Sequence, residues 1–155
     1  MSMIAEGRKA PEFTLPSSEG GEVSLKDLRG KTVVLYFYPK DDTPGCTREA
    51  CAFRDSQAAL KRKGAVVLGV SGDSLVSHEK FQAKYHLNFP LLSDPDKSVA
   101  KKFGAWGEKV LYGKKTVGMI RSTFVIDKEG VVRRVFPRVK VDGHDQQVLE
   151  AVSSL

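Results

Sequence analysis

The residues with the greatest chemical potential are Cys46 and Cys51, five positions apart and the only two cysteines in 155 residues. A thiolate is both nucleophile and redox centre, and its reactivity follows the positive charge around it. Cys46 ends the run Pro39-Lys-Asp-Asp-Thr-Pro-Gly, turn chemistry between the apolar stretch Thr32–Tyr38 and helix formers from Thr47 to about Arg62. That order places Cys46 in the first turn of a helix fed by a buried strand. Open α/β sheets gather ligands at the carboxyl ends of their strands. A first turn also leaves backbone N–H groups unpaired and carries partial positive charge, and both stabilise a thiolate. The alternative is a buried structural cysteine; the Thr-Pro-Gly flank is turn rather than core and favours the reactive reading.

Cys51 constrains any partnership between the two sulfurs. On an unbroken helix, residues i and i+5 are separated by a rise of about 7.5 Å and a turn of roughly 140°, leaving their Cα atoms about 9 Å apart. A disulfide needs Cα atoms within about 7 Å. Either these cysteines never bond, or the helix unwinds for them to do so. Cys51 as a small apolar helix residue stays open on spacing alone. Thr43, three residues before Cys46, fits a helix cap or a hydrogen-bond partner for a group beside the sulfur, and spacing does not separate the two. Pro44 and Gly45 let backbone amides approach closely. Arg121, just before the strand Ser122–Ile126, is the best-placed source of further positive charge, although by position alone it reads as a surface arginine at a strand end.

Composition narrows the classes. Two cysteines are too few for a secreted disulfide scaffold, and His78, His86 and His144 do not supply zinc-ligand spacing. The N-terminus lacks the apolar core of a secretory signal, which argues for a cytoplasmic protein, where a close cysteine pair is more often catalytic or redox-responsive than structural. No apolar run approaches the roughly 20 residues needed to span a bilayer. A net charge of +6 and pI near 9.3 raise the question of nucleic acid. The 25 Lys and Arg are scattered among 19 Asp and Glu, without a long basic block or aromatic platform, so no nucleic-acid or membrane partner is expected. The charge licenses modest steering of anions.

The elements that must hold these residues follow from patterning. Phe13–Leu15 and Val23–Leu25 flank a Ser-Glu-Gly-Gly turn and read as a short hairpin; Ser24 with Asp27 resembles a helix start that Gly30 ends. Thr32–Tyr38 and Ala65–Val70 are continuous apolar runs, as in a sheet covered on both faces. A helix is expected around Ser77–Tyr85 and a short strand at Phe89–Leu92, with Pro90 at an edge or first position or in a cis bond. A short helix at Val99–Phe103, a connector from Gly104 to Gly118, a hairpin of Ser122–Ile126 with Val131–Phe136, and a last helix at about Gln146–Val152 complete the chain. Early alternation implies parallel strands and the late hairpin implies antiparallel ones. The expected fold is a mixed α/β sheet with helices on both faces, as one domain over residues 1–155.

The block Tyr36-Phe-Tyr-Pro-Lys-Asp-Asp-Thr-Pro-Gly-Cys-Thr-Arg-Glu-Ala-Cys51, with Phe53-Arg-Asp55, resembles the peroxiredoxins of the Q type, the bacterioferritin comigratory proteins. Gly69-Val-Ser, Lys84-Tyr, Phe89-Pro-Leu-Leu-Ser-Asp94, Trp106-Gly-Glu-Lys, Tyr112-Gly-Lys, Arg121-Ser-Thr-Phe and Gly143-His144 extend the likeness over nearly the whole chain. The resemblance implies a thioredoxin-like fold with an N-terminal β-hairpin extension. It implies a peroxidatic role for Cys46 and a resolving role for Cys51 in an intramolecular disulfide. It further implies that Thr43 and Arg121 hold peroxide and thiolate, that Pro39 shields the pocket, and that Glu49 orients the arginine. The implied substrates are hydrogen peroxide and organic hydroperoxides, the implied recycling partner is thioredoxin or a similar dithiol, and the implied state is a monomer. No metal, flavin or haem is called for. Two other readings fit a cysteine pair: a general thiol-disulfide oxidoreductase, for which the spacing is wider than Cys-x-x-Cys, and a redox sensor that controls a partner.

Overall fold

The computed structural model describes residues 3–155. Its centre is a five-stranded sheet. The middle strand β3 (Thr32–Phe37) is buried along its whole length. It pairs in parallel with β4 (Ala65–Ser71), which pairs in parallel with β5 (Leu91–Ser93). On the other side β3 pairs antiparallel with β8 (Ser122–Ile126), which pairs antiparallel with β9 (Val132–Phe136). The alternation of side chains along β3 divides the interior in two. Val33, Leu35 and Phe37 face a core with Phe13, Leu25, Phe103 and Phe124. Val34, Tyr36 and Tyr38 face a second core with Cys46, Phe53, Phe81 and Val148.

Helices cover both faces, as patterning predicts. α1 (Pro44–Arg62) and α4 (His144–Ser153) lie together on the second core, which also takes Phe81 from α2 (Leu75–Tyr85). α3 (Ser98–Phe103) closes the first core with the N-terminal segment, including the hairpin of β1 (Thr14–Pro16) and β2 (Glu22–Ser24). Ser24 precedes only a 3-10 turn, Leu25–Leu28, and its hydroxyl shares a hydrogen bond with Thr14 Oγ1 at 2.6 Å instead of capping. No helix among the described residues is long and apolar enough to cross a membrane.

Helix α1 starts three residues earlier than the run of helix formers, because proline at the first helical position gives up an N–H that would be unpaired there anyway. Its buried residues Cys46, Glu49, Ala50, Phe53, Ser56, Gln57 and Leu60 recur at three- and four-residue steps, one stripe against the sheet. The helix ends at a Lys63 whose N–H bonds to Leu60 O, before Gly64 at φ +74°.

Two expectations need correction. Phe89 and Pro90 lie outside β5, and no peptide bond among the described residues is cis; Pro90 serves the sheet through its carbonyl, which accepts from Gly69 N–H at 3.2 Å. The expected connector Gly104–Gly118 is largely a second hairpin, β6 (Trp106–Leu111) with β7 (Lys114–Met119). Its turn is Tyr112-Gly113, both at positive φ (53° and 78°), where asparagine or aspartate usually precedes the glycine. Val110 and Val117 are exposed, so no apolar face announces the pair of strands.

Candidate active site

The loop from β3 into α1 delivers Cys46 as the third residue of the helix, on the stripe that faces the sheet and only 1% exposed. The opening of a helix leaves the Gly45 and Cys46 N–H groups without partners inside it, at the positive end of the helix dipole. Arg121 reaches the same point from the start of β8. Its Nη2 donates to Cys46 Sγ at 3.2 Å and its Nη1 donates to Glu49 Oε1 at 2.7 Å. Sequence separations of 75 and 72 residues are thereby closed by one guanidinium.

Glu49 is 1% exposed, one turn after Cys46 on the same stripe. Burial pushes its carboxyl up to about 7, with the Arg121 charge and hydrogen bond acting in the opposite direction. Its Oε2 has no hydrogen-bond partner among the described residues, which is why one arginine does not offset the loss of water. Arg121 itself is held above the ordinary arginine value: burial disfavours its charge, but Glu49 and Cys46 outweigh that. Gly45 makes the approach possible, since a Cβ there would lie 3.1 Å from Arg121 Nη2.

Thr43 occupies the cap position, yet its side chain makes no capping bond. Its hydroxyl donates to Lys40 O at 2.9 Å, so the oxygen lone pairs are what it offers a neighbour. Pro39 follows β3 and is exposed. Cys51 lies one and a half turns beyond Cys46, half-buried, and both thiols are free. The structure thus brings Cys46, Arg121, Glu49 and Gly45 into contact and leaves Cys51 on a different side of the same intact helix.

Patterning did not single out three other side chains here. Tyr36, fully buried on β3, is pushed well above the ordinary phenol value by burial and then by the charges of Glu49 and Cys46. Lys109 of β6 donates to Met119 O at 2.9 Å, and burial and the Arg121 charge hold it below the usual lysine value, with Cys46 opposing. Asp41, in the loop itself, is buried against His78. Tyr36 and Asp41 were visible only as members of a strand and a polar loop, and Lys109 lay in the segment read as a connector. Ligand atoms of Asp41, Asp73 and His78 lie within 4.8 Å of one another, but each is already engaged in hydrogen bonds within the protein.

A cysteine at a helix start with an arginine on its sulfur can act as a nucleophile toward an oxidant. Residues 7–135 match the AhpC/TSA family. A bcp-type relative from Coxiella burnetii is 56% identical over 146 residues, covering 94% of this chain and 97% of its own. Peroxiredoxin Bcp of Bacillus subtilis is 46% identical over 152 residues, covering 98% and 97%. The solved peroxiredoxin Q of Xanthomonas campestris superposes with a TM-score of 0.87 at 42% identity, over 92% of this chain and 90% of that one. Likeness of this depth, over the segment that holds Cys46 and Arg121 as well as the sheet, fixes the thioredoxin-like fold and makes the chain a member of the AhpC/TSA family, in its Q-type (Bcp) peroxiredoxin branch.

Proposed function

We propose that the chain is a thiol peroxidase acting on hydrogen peroxide and organic hydroperoxides through Cys46. The observation that carries this reading is the 3.2 Å contact between Arg121 Nη2 and Cys46 Sγ at the mouth of a helix. The solved Xanthomonas campestris bacterioferritin comigratory protein described with alkyl peroxide reduction activity, 42% identical, supports the substrate class.

The Cys46 thiolate attacks the terminal peroxide oxygen; an S–O bond forms as the O–O bond breaks, and two electrons pass from sulfur to oxygen. Cys46 becomes a sulfenic acid, and the departing alkoxide or hydroxide takes a proton to leave as alcohol or water. Arg121 and the Gly45 and Cys46 amides meet the charge that develops on the leaving oxygen. Thr43, with its own proton committed to Lys40, accepts from the peroxide O–H. Glu49 holds the guanidinium in place, and Pro39 flanks the approach to the sulfur.

Cys51 then attacks the Cys46 sulfur, forming the disulfide and releasing water. With α1 intact the two Cα atoms stand about 9 Å apart against a limit of about 7 Å, so the first turns of α1 unwind for this step. A dithiol such as thioredoxin restores both thiols by exchange. Sulfur and peroxide exchange the electrons directly, so the cycle needs no metal, flavin or haem, and it needs only one copy of the chain.

The direct test mixes reduced protein with one equivalent of hydrogen peroxide and follows the products by mass spectrometry. The expected product is a Cys46–Cys51 disulfide at the loss of two hydrogens. Unchanged peroxide consumption by Cys46→Ser would end the proposal.

A further inference from the structure

The loop that carries Cys46 is fastened to a helix that contributes nothing to the thiol itself. Asp41, five residues before Cys46, is 7% exposed, and His78 of α2 is fully buried. His78 Nε2 lies 2.9 Å from Leu92 O, an acceptor only, so that nitrogen carries a proton. Its Nδ1 lies 2.7 Å from Asp41 Oδ2, and one shared proton joins them. Two further donors reach the carboxylate: Tyr38 Oη donates to Oδ1 at 2.5 Å and Ser77 Oγ donates to Oδ2 at 2.8 Å. The Asp41 N–H donates to Asp73 Oδ2 at 2.9 Å. Asp42, at φ +57°, is tied in turn to Lys84 Nζ and Tyr85 Oη, each at 2.7 Å.

A carboxylate buried with three side-chain donors is costly to leave half-paired, and its backbone is held wherever those donors are. Tyr38 follows the last residue of β3, and Ser77 and His78 belong to α2, so none of the three is part of the turn of α1 that has to unwind. We infer that the buried Asp41–His78 pair is a latch that positions the start of the Cys46 helix. It thereby sets the partition of oxidised Cys46 between disulfide formation and further oxidation. This rests on Cys46 being the sulfur that peroxide oxidises. With the latch closed, the first turn stays wound, which favours attack on peroxide and delays Cys51. With the latch cut, unwinding is easier. A sulfenic acid then finds Cys51 sooner and meets a second peroxide less often.

Asp41 and His78 are positioning residues, and two readouts separate that role from mere support of the fold. The first is amide hydrogen exchange on the reduced protein without peroxide, for wild type, His78→Leu, Asp41→Asn and the milder Ser77→Ala. Exchange in residues 40–50 should quicken about tenfold in the first two, and less in Ser77→Ala, while β3 and β4 keep their protection. The second is the ratio of Cys46 sulfinic acid to Cys46–Cys51 disulfide under excess peroxide, read by mass spectrometry, which should fall by a similar factor. Unchanged exchange over residues 40–50, a rise spread evenly over the chain, or an unaltered ratio would each overturn the latch. If His78→Leu does not fold, Ser77→Ala decides by the same criteria. The exchange result is independent of peroxide chemistry: faster exchange in a protein whose wild type consumes no peroxide would sink the peroxidase reading and the partition with it, and leave standing only the positioning of the helix start by Asp41 and His78.

Discussion

Cys46 sits in the first turn of α1 with its sulfur closed off from solvent and an arginine on it. Cys51, one and a half turns further along, is half-buried, off the stripe that meets the sheet. The surroundings differ as much as the sulfurs. Upstream, the helix start buries only the small side chains of Cys46 and Ala50 in the second core and is otherwise bound to the rest of the fold by polar contacts, through Asp41, Asp42 and Arg121. Downstream of Cys51, Phe53 and Leu60 are fully buried, Arg54 donates to Tyr85 O and Gln57 donates to Asn88 O. Apolar burial of a Phe or Leu side chain contributes about 1.5–3 kcal/mol each, whereas a typical hydrogen bond contributes only about 1 kcal/mol net. The two halves of one helix are therefore held by different forces. The half that presents the nucleophile is the one that can open without dissolving the core.

The sharpest break in this comparison is to remove one sulfur at a time. Cys46→Ser should cost a factor on the order of ten thousand or more in peroxide consumption, since the nucleophile is gone. Cys51→Ser should leave the first equivalent of peroxide consumed at the wild-type rate but stop steady-state turnover with thioredoxin. Stopped-flow single-turnover traces beside a coupled steady-state assay distinguish the two, and equal behaviour of the variants would abolish the division of labour.

Arg121→Ala tests what holds the nucleophile. It removes the cation from Cys46 and leaves a buried Glu49 without its partner. The second-order rate of Cys46 oxidation should drop about a hundredfold or more, within the range seen when a donor to developing negative charge is lost. The rate at which Cys51 closes on a preformed sulfenic acid should not fall with it, because loss of Arg121 removes one of the contacts that hold the first turn wound.

Much of this arrangement is legible in residue order, and the remainder has a common cause. The buried run at Thr32–Tyr38, the Pro-Gly-Cys helix start and the impossibility of a Cys46–Cys51 bond in an intact helix are local facts, set by composition and helix geometry. The Arg121–Glu49–Cys46 contacts span 72 and 75 residues; position in the topology offered Arg121 only as a candidate, and the resemblance alone pointed to Glu49 as its partner. Asp41 with His78 was invisible to both, since a polar loop and a single helical histidine carry no periodicity that would pair them. β6–β7 escaped because its side chains are largely exposed lysine and valine and its turn begins with tyrosine. Local rules find elements; polar contacts closed by tertiary structure need the fold.

Glu49 links charge at the site to stability. Its carboxyl is raised to about 7 in the fold, from the 4.5 of an exposed group, with burial as the main cause. Between those values the folded state binds more protons than the unfolded one, so stability falls as pH rises from about 4.5 to about 7. The full difference is on the order of 3 kcal/mol. Glu49→Gln should lack this slope. Urea denaturation in reducing buffer should find the variant gaining on wild type by about 2–3 kcal/mol between pH 5 and pH 8. Peroxide reactivity should move the other way, because ionised Glu49 holds Arg121 on the sulfur: wild-type reactivity should weaken below pH 7, and the glutamine variant should be slower at pH 8. Parallel pH profiles of stability in the two proteins would show that Glu49 is not the group concerned.

The finest test is Gly45→Ala, which changes the helix start without touching a functional group. Alanine is the better helix former, by up to about 1 kcal/mol in a helix interior and less in a first turn. Its methyl would lie 3.1 Å from Arg121 Nη2, so the guanidinium must give way by a few tenths of an ångström. Stability should rise slightly or stay level, while the rate of Cys46 oxidation falls several-fold, the cost of displacing a donor from a charge that develops only in the transition state. Resolution by Cys51 should slow as well if a firmer first turn resists unwinding. Two rates falling while stability holds would tie both cysteines to the same few residues. A loss confined to the first rate would instead place the effect on Arg121 alone and leave the opening of the helix to the contacts of Asp41.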